Sequence, residues 1–228
     1  MSTGNKELDH NVKTFKKYRN LLKELTAKNV KLKYRNSWLG ILWSFIQPLL
    51  QMIVLSVVFG GIFGKSNKHV ICFPVYLFTG RLLFSFFTSS TKQAMTSFRR
   101  NASIIKKVYV PKYMFVLSRI FSSSINLLAS FTAMIFVMLA MRVELHYTVL
   151  LAPIPLIFIV FFSLGVGLIL SAITVKFRDI MHLYSVFVTA LMYLTPVIYP
   201  MSILPEWLKK IVLLNPITNI LMMFRDVM

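Results

Sequence analysis

The residues that could do chemistry in this chain are few, and their spacing argues against most of it. Gly64, Lys65 and Ser66 look like the end of a phosphate-binding loop. Such a loop needs a glycine five places before Gly64, so that successive backbone N–H groups can cradle phosphates, and that position is Phe59. The run also closes an apolar helical segment, where a phosphate loop joins a strand to a helix. Gly60, Gly61 and Gly64 therefore read as helix-packing or helix-ending glycines. Nucleotide binding by this motif is not expected, and neither is a metal, because His10, His69, His146 and His182 are scattered without ligand spacing. Glu144 and Glu206 show no pairing suited to general acid–base work. Asn101-Ala102-Ser103 fits a glycosylation sequon, which is silent if the segment is cytoplasmic, as argued below. The single Cys72 excludes an internal disulfide framework.

One charge stands inside an apolar run. Arg81 has no carboxylate on its own segment to neutralise it. Intramembrane charges are costly and mark function by default, so one reading puts Arg81 against an anionic group such as a lipid-linked phosphate. The other lets it snorkel toward outer headgroups. The aromatic residues Tyr184, Phe187 and Tyr193 join Arg81 as candidates for a substrate path, since aromatic faces stack on sugar rings. Lipid contact or packing is the commoner use of such residues.

The elements that must position these groups follow from composition. The chain is 57% hydrophobic over 228 residues, with a mean hydropathy of +0.69. A soluble domain of this size cannot hide that much apolar surface. A formal charge of +19 would suit nucleic acid, but the basic residues flank apolar runs, which is the pattern of membrane insertion. No nucleic-acid partner is expected. In the first 36 residues Val12, Phe15, Tyr18, Leu22, Leu25 and Leu32 recur at steps near three and four, among Lys13, Lys16, Lys17, Lys23, Lys28 and Lys31. That pattern predicts a basic amphipathic helix in the headgroup plane, held by anionic lipids.

Apolar runs near the length of about 20 residues that a spanning helix needs cover Ser37–Gly64, Val70–Thr91, Ile120–Met141, Tyr147–Val175 and Ile180–Pro205. The last is expected to end as a helix near Thr195-Pro196. The expected fold is therefore an all-α integral membrane protein, one transmembrane domain over 1–228. It has a cytoplasmic interface arm (1–36), five spans (37–198) and an outer, proline-broken re-entrant segment (199–228). Pro196, Pro200, Pro205 and Pro216 break that last segment, and Ile211–Phe224 is too short to cross unaided. An irregular loop on the outer lipid surface is the alternative. Nineteen of the 26 Lys and Arg fall on the side of the arm, which makes that side and the N-terminus cytoplasmic. The spans hold no carboxylate, which argues against proton- or sodium-coupled transport.

Two cytoplasmic segments look built for a partner. Phe98–Lys112 mixes Arg99 and Arg100 with Ile104, Ile105, Val108 and Tyr109, and Lys176-Phe177-Arg178-Asp179 makes a tight turn. Plain positive-inside anchoring accounts for the charges but not for the interleaved apolar residues.

Several of these pieces resemble the membrane subunit of type-2 ABC exporters, in particular the polysaccharide, O-antigen and teichoic-acid permeases. They are YRNSWLGILWSFIQPL with Tyr34, Arg35, Leu39, Gly40, Trp43 and Pro48; FPVYLFTGRLLFSFF; KKVYVPKY; FRDI at Phe177–Ile180; and TPVIYPMSILPEWLKKIVLLNPITN at Thr195–Asn219. The resemblance covers nearly the whole chain in order. It implies a subunit of the bacterial cytoplasmic (inner) membrane that is present as two copies. Each copy would dock on a separate ATP-binding cassette subunit carrying ATP and Mg, so the chain itself holds no cofactor and is no enzyme. Moving a lipid-linked polysaccharide is the implied activity. The implied ATPase contacts are Phe98, Arg99, Arg100, Asn101, Ile104 and Ile105 on the main coupling helix, with Phe177, Arg178 and Asp179 as a second contact. The family has a sixth span after the re-entrant pieces, so a sequence that stops at Met228 is expected to be a fragment or truncated product. An ABC exporter subunit for small molecules or lipids is the alternative, and a membrane-embedded envelope-synthesis enzyme is a third reading.

Overall fold

The computed structural model describes residues 2–35, 37–63, 73–143 and 147–228, with side chains for all of these except 2–15, 41 and 59–63. The Gly64-Lys65-Ser66 run, His69, Cys72, Glu144 and His146 lie outside the described residues, as does the start of the second expected span. Every described regular element is helical. Among the described residues no group of His, Cys, Asp and Glu gathers as a metal site would.

The arm is one long helix, α1 (Ser2–Tyr34). A turn at Ser37–Gly40 leads into α2 (Trp43–Phe63). Gly40 holds that turn with a φ of +51° and no atom near the place of a Cβ. The requirement there is backbone conformation alone, so Gly40→Ala is expected to cost about 1–2 kcal/mol. A shift in the thermal unfolding midpoint of the detergent-purified chain reads that loss.

Next come α3 (Phe73–Met95), the short pair α4 (Ser97–Arg100) and α5 (Ala102–Lys107), and α6 (Tyr113–Ala140). They are followed by α7 (Pro153–Lys176), α8 (Ile180–Leu194), α9 (Glu206–Leu213) and α10 (Pro216–Val227). Two stretches, Tyr113–Ala140 and Tyr147–Lys176, are long and apolar enough to cross a bilayer. The 15 residues of α8 reach only about 22 Å at 1.5 Å per residue. That helix stops at Leu194, where Thr195 turns extended just before Pro196.

The third helix is the centre of the bundle. It packs against α2, α6, α7, α8 and α10, and Phe78, Leu82, Leu83, Phe84, Phe86 and Phe87 are all buried. Phe87 stacks on Phe162 of α7 with ring centroids 5.7 Å apart. Protein covers most of α3, so it can carry Arg81 and a run of hydroxyls that a lipid-facing helix could not. The outer helices show the reverse. Ile53, Val54 and Val57 of α2, Phe136 of α6, Phe161 and Ile169 of α7, and Val186 of α8 are exposed. This amount of bare apolar side chain suits a hydrocarbon solvent.

The arm departs from expectation in what its apolar face touches. Leu22 and Leu25 are buried against Val110, Met114 and Phe115 at the start of α6. Asn29 Nδ2 donates to Ser118 Oγ at 3.3 Å, and Tyr18 OH donates to the Tyr109 carbonyl at 3.3 Å. Of the face predicted to meet headgroups, Tyr18, Leu22 and Leu25 are used on protein, while Leu32 and the lysines Lys16, Lys17, Lys23, Lys28 and Lys31 remain exposed. The rising pairs 18/109, 29/118 and 34/126 make α1 and α6 run side by side in the same direction.

The proline-broken tail folds back as α9 and α10. Asn215 caps α10 by accepting from the Ile217 N–H at 3.1 Å, and Pro216 takes the first helical position, where its missing N–H costs nothing. Ile217, Leu221 and Phe224 are buried as α10 packs on α3 and α7.

Candidate functional site

Between α2, α3, α6 and α8 lies a cavity of about 540 Å³. Its polar wall comes from three helices, each contributing side chains at steps of three and four. On α2 these are Ser44, Gln47 and Gln51; on α3 Arg81, Ser85, Thr88, Ser89 and Lys92; on α6 Ser123, Asn126 and Ser130. Such spacing puts residues on one face of a helix, so three polar stripes converge. Lys33 from the end of α1 and Thr189 from α8 complete the polar lining, and Leu82, Phe84, Phe86, Leu127 and Val188 supply an apolar wall.

The electrostatics are one-sided: among the described residues Lys33, Arg81 and Lys92 line the cavity and no carboxylate does. Lys92 Nζ donates to Ser185 Oγ at 3.3 Å, and the neighbouring Gln93 Nε2 donates to Ser123 Oγ at 3.1 Å. Arg81 is half-buried. Its Nη1 meets only Met192 Sδ, at 3.5 Å, and its Nε is buried without a hydrogen-bond partner. A guanidinium offers five donors, so Arg81 is held by packing while its hydrogen-bonding capacity is largely unused.

The membrane-entry residues meet this cavity at one lip. Tyr34 OH donates to Asn126 Oδ1 at 2.6 Å and also contacts Ser44 Oγ, which itself donates to Asn126 Oδ1 at 3.3 Å. The arm, the start of α2 and the middle of α6 are thereby tied in one polar node. Pro48 lies inside α2 and lines the cavity. It cannot donate to the Ser44 carbonyl one turn earlier. Leu39 is half-buried, while Arg35 and Trp43 are exposed.

The substrate-path candidates separate. Arg81 lines the cavity, but the three aromatics of α8 do not. Tyr184 is buried and donates to Thr91 Oγ1 at 2.7 Å, fastening α8 to α3. Phe187 and Tyr193 stand exposed, with the Phe187 ring centroid 6.3 Å from that of Tyr184. The face of α8 that lines the cavity carries Val188, Thr189 and Met192.

The coupling candidates separate as well. α4 and α5 break at Asn101, which is buried and donates from Nδ2 to the Ser97 carbonyl at 2.8 Å. Phe98 packs with Ala94, Val116 and Ile120, and Ile104 and Ile105 pack with the Leu22–Phe115 cluster. These four residues anchor the α4–α5 corner to the bundle. The interleaved apolar residues that suggested a partner are therefore partly accounted for inside the chain. Arg99, Arg100, Val108 and Tyr109 remain exposed, as do Phe177, Arg178 and Asp179 in the α7–α8 turn.

Sequence reasoning missed the polar stripes, whose signal was the repeat at positions 81, 85, 88, 89 and 92. It also missed Arg225. Its Nη1 donates to Tyr76 OH and to the Pro196 carbonyl, both at 2.7 Å. Its Nη2 donates to the carbonyls of Val197 at 3.1 Å and Tyr76 at 3.3 Å, and its Nε to Thr79 Oγ1 at 3.4 Å. Its guanidinium carbon lies 3.6 Å from the centre of the Tyr76 ring. Nothing in a one-dimensional pattern joins position 225 to 76 and 196.

Residues 20–228 match the family model described as ABC-2 type transporter. The O-antigen export system permease protein RfbA of Klebsiella pneumoniae is 30% identical over 210 residues, spanning 90% of this chain and 79% of that protein. The protein of the same name from Myxococcus xanthus is 29% identical over 218 residues, 95% of this chain and 83% of its own length. The polysialic acid transport protein KpsM of Escherichia coli is 19% identical over 206 residues, 89% of this chain and 78% of its own. With an all-helical bundle, a bare apolar exterior and a family match over most of its length, the chain belongs to the ABC-2 type transporter membrane family.

Proposed function

We propose that this chain is the membrane subunit through which an ATP-driven complex moves a lipid-linked polysaccharide of O-antigen or capsule type out of the cytoplasm. One observation carries the reading: a membrane-family bundle encloses a polar, cation-lined cavity between its helices. Irregular or polar surface at membrane depth persists only against protein or water. A route for a hydrophilic cargo needs such a surface, and a structural anchor does not. Relatives named for O-antigen and polysialic acid transport point to the cargo class.

In this reading the chain crosses the bacterial cytoplasmic membrane five times with its N-terminus inside. A second copy of the chain completes the path. The chain binds no cofactor. ATP and Mg belong to a cassette subunit under each copy, which meets the exposed Arg99 and Arg100 of α4 and the Phe177-Arg178-Asp179 turn. Arg81 belongs to the substrate path. The exposed Phe187 and Tyr193 belong to it only if the second copy faces them.

Deleting the gene in its own host tests the function. Lipid-linked glycan trapped in the cytoplasm with loss of surface polymer is the expected outcome. Normal surface polymer with no trapped intermediate would sink the reading. For the docking surface, the double charge reversal Arg99→Glu with Arg100→Glu is expected to weaken retention of the ATPase on affinity purification about tenfold or more, since like charge facing a complementary patch is strongly unfavourable. Unchanged retention would place the contact elsewhere.

A further inference from the structure

We infer that Arg119 and Arg100, at the corner where α6 passes α4, form a two-arginine socket that takes a carboxylate side chain from the docked cassette subunit. This deepens the docking reading above and rests on it for the partner.

The level of the site follows from helix pairing. α3 and α6 run in opposite directions, with Ser85 and Ser130 together at one end of the cavity and Gln93 bonded to Ser123 at the other. One turn back along α6 from Ser123 is Arg119, which therefore stands level with α4, the helix that carries the exposed Arg99 and Arg100. α4 packs on α6, and the charge of Arg100 acts on Arg119. Arg119 itself is a cation without a counter-charge. Only 8% of it is exposed. No hydrogen bond or ion pair reaches its guanidinium among the described residues, where the single ion pair is Lys209 with Glu206. Of its three nitrogens Nε alone is closed off, so the Nη pair is the end that a ligand meets.

The direction of approach selects the occupant. A buried, unpaired charge is strongly unfavourable, and a second guanidinium beside it adds repulsion. Both terms fall when an anion settles against the two forks. The bilayer meets α6 on the side of Phe121, Ile125 and Leu128, which are exposed. At about 100° per residue Arg119 lies on the other side of the helix, away from lipid phosphates. The cavity stops short of it as well: Ser123 lines the cavity and Arg119 does not, and the Gln93–Ser123 bond at 3.1 Å marks that boundary. The open side is the cytoplasmic corner, where Arg100 is exposed next to Arg99. A protein carboxylate suits that position, because its two oxygens match a guanidinium fork and its charge complements the pair.

The test uses the full chain, tagged and co-expressed with the cassette subunit in its own host. Two quantities are read: retention of that subunit on affinity purification, and the thermal unfolding midpoint of the chain purified alone in detergent. Arg119→Met keeps the apolar stem and removes the charge. It is expected to weaken retention about thirtyfold, as for one partner of a buried charge pair. The lone chain should then unfold at or above the wild-type temperature, since the charge removed has no partner there. Arg119→Lys should recover part of the retention, because it restores the charge without the fork. Lys28→Gln, an exposed cation of the neighbouring arm, should leave retention within about twofold of wild type. If Arg119→Met does not fold, Arg100→Gln on the exposed rim serves instead and should weaken retention several-fold.

Wild-type retention in Arg119→Met, or in Arg100→Gln where that variant replaces it, would overturn the socket. Weakened retention together with a lower midpoint of the lone chain would overturn it too, because Arg119 would then hold the corner of the bundle and not a partner. An equal loss in Lys28→Gln would replace the socket by general positive charge. Unchanged retention, with a midpoint that phosphatidylglycerol nanodiscs raise over phosphatidylcholine ones in wild type but not in Arg119→Met, would assign the pair to a bilayer phosphate. The docking reading fails separately: a wild-type chain that retains no cassette subunit rejects both, whereas equal retention by wild type and Arg119→Met rejects the socket alone.

Discussion

Arg225→Met is expected to destabilise the chain by on the order of 3–4 kcal/mol. The α8 helix ends at Leu194 because Pro196 cannot continue it, and the carbonyls of Pro196 and Val197 are left without helical partners. Arg225, brought in by α10, donates to both, and to the carbonyl and hydroxyl of Tyr76. Methionine keeps the apolar stem but leaves these acceptors unmatched where water is scarce. Hydrogen bonds to a charged group contribute about 1.5–3 kcal/mol each, though not additively. Tyr76→Phe keeps the ring under the guanidinium and removes only the hydroxyl, so it should cost about 1 kcal/mol. The double variant should cost less than the two singles together, because they share one network. The neighbouring Asp226 is exposed, and Asp226→Asn should stay within about 0.5 kcal/mol of wild type. Thermal unfolding midpoints of the detergent-purified variants decide this. An Arg225→Met midpoint equal to that of Asp226→Asn would show that the cluster does not hold the tail.

Gly80→Ala is expected to cost about 2–3 kcal/mol, with Gly80→Val costing more, through overpacking of the same cluster. A Cβ on Gly80 would lie 2.8 Å from Arg225 Nη2 and 2.8 Å from the Val197 carbonyl oxygen, with Val197 Cα at 3.1 Å. The arginine tip could swing aside, but the Val197 backbone could do so only by moving the broken end of α8. Gly165→Ala on α7 makes the opposite prediction. Its Cβ meets nothing within 4 Å, so the gain in helix propensity should stabilise by about 0.5–1 kcal/mol. Paired unfolding measurements of the two alanine variants test the sign as well as the size. Two shifts in the same direction would contradict the close approach of α3 to the α8 end.

The cavity was half legible. Arg81 stands out in any reading because a lone charge in an apolar run is unfavourable wherever the helix points. The hydroxyls and amides beside it do not, since Ser, Thr and Gln are tolerated in spans for many reasons. Their significance comes from three stripes facing one another, which is a property of helix rotation. The same rotation divides the aromatic candidates. Tyr184, Phe187 and Tyr193 share one helix, yet one is buried against Thr91 and two face outward.

The arm shows the same division. Its helical period and positive face are written in α1, and the structure keeps both. Whether its apolar stripe meets lipid or protein is not written there, because an apolar face reports only that it avoids water. The Leu22–Leu25 stripe meets Met114 and Phe115 because α6 extends far enough to receive it.

By itself the sequence determined an all-helical membrane chain, the end of α8 near Pro196, the lone charge at Arg81 and the membership carried by its motifs. These depend on composition, local period and backbone chemistry, which act within a few residues of one another. Only the tertiary structure decided that Arg225 closes the α8 end, that Gly80 must stay bare, and that three polar stripes form one cavity. Those outcomes depend on how helices far apart in the chain are rotated and stacked, and local pattern carries no information about that.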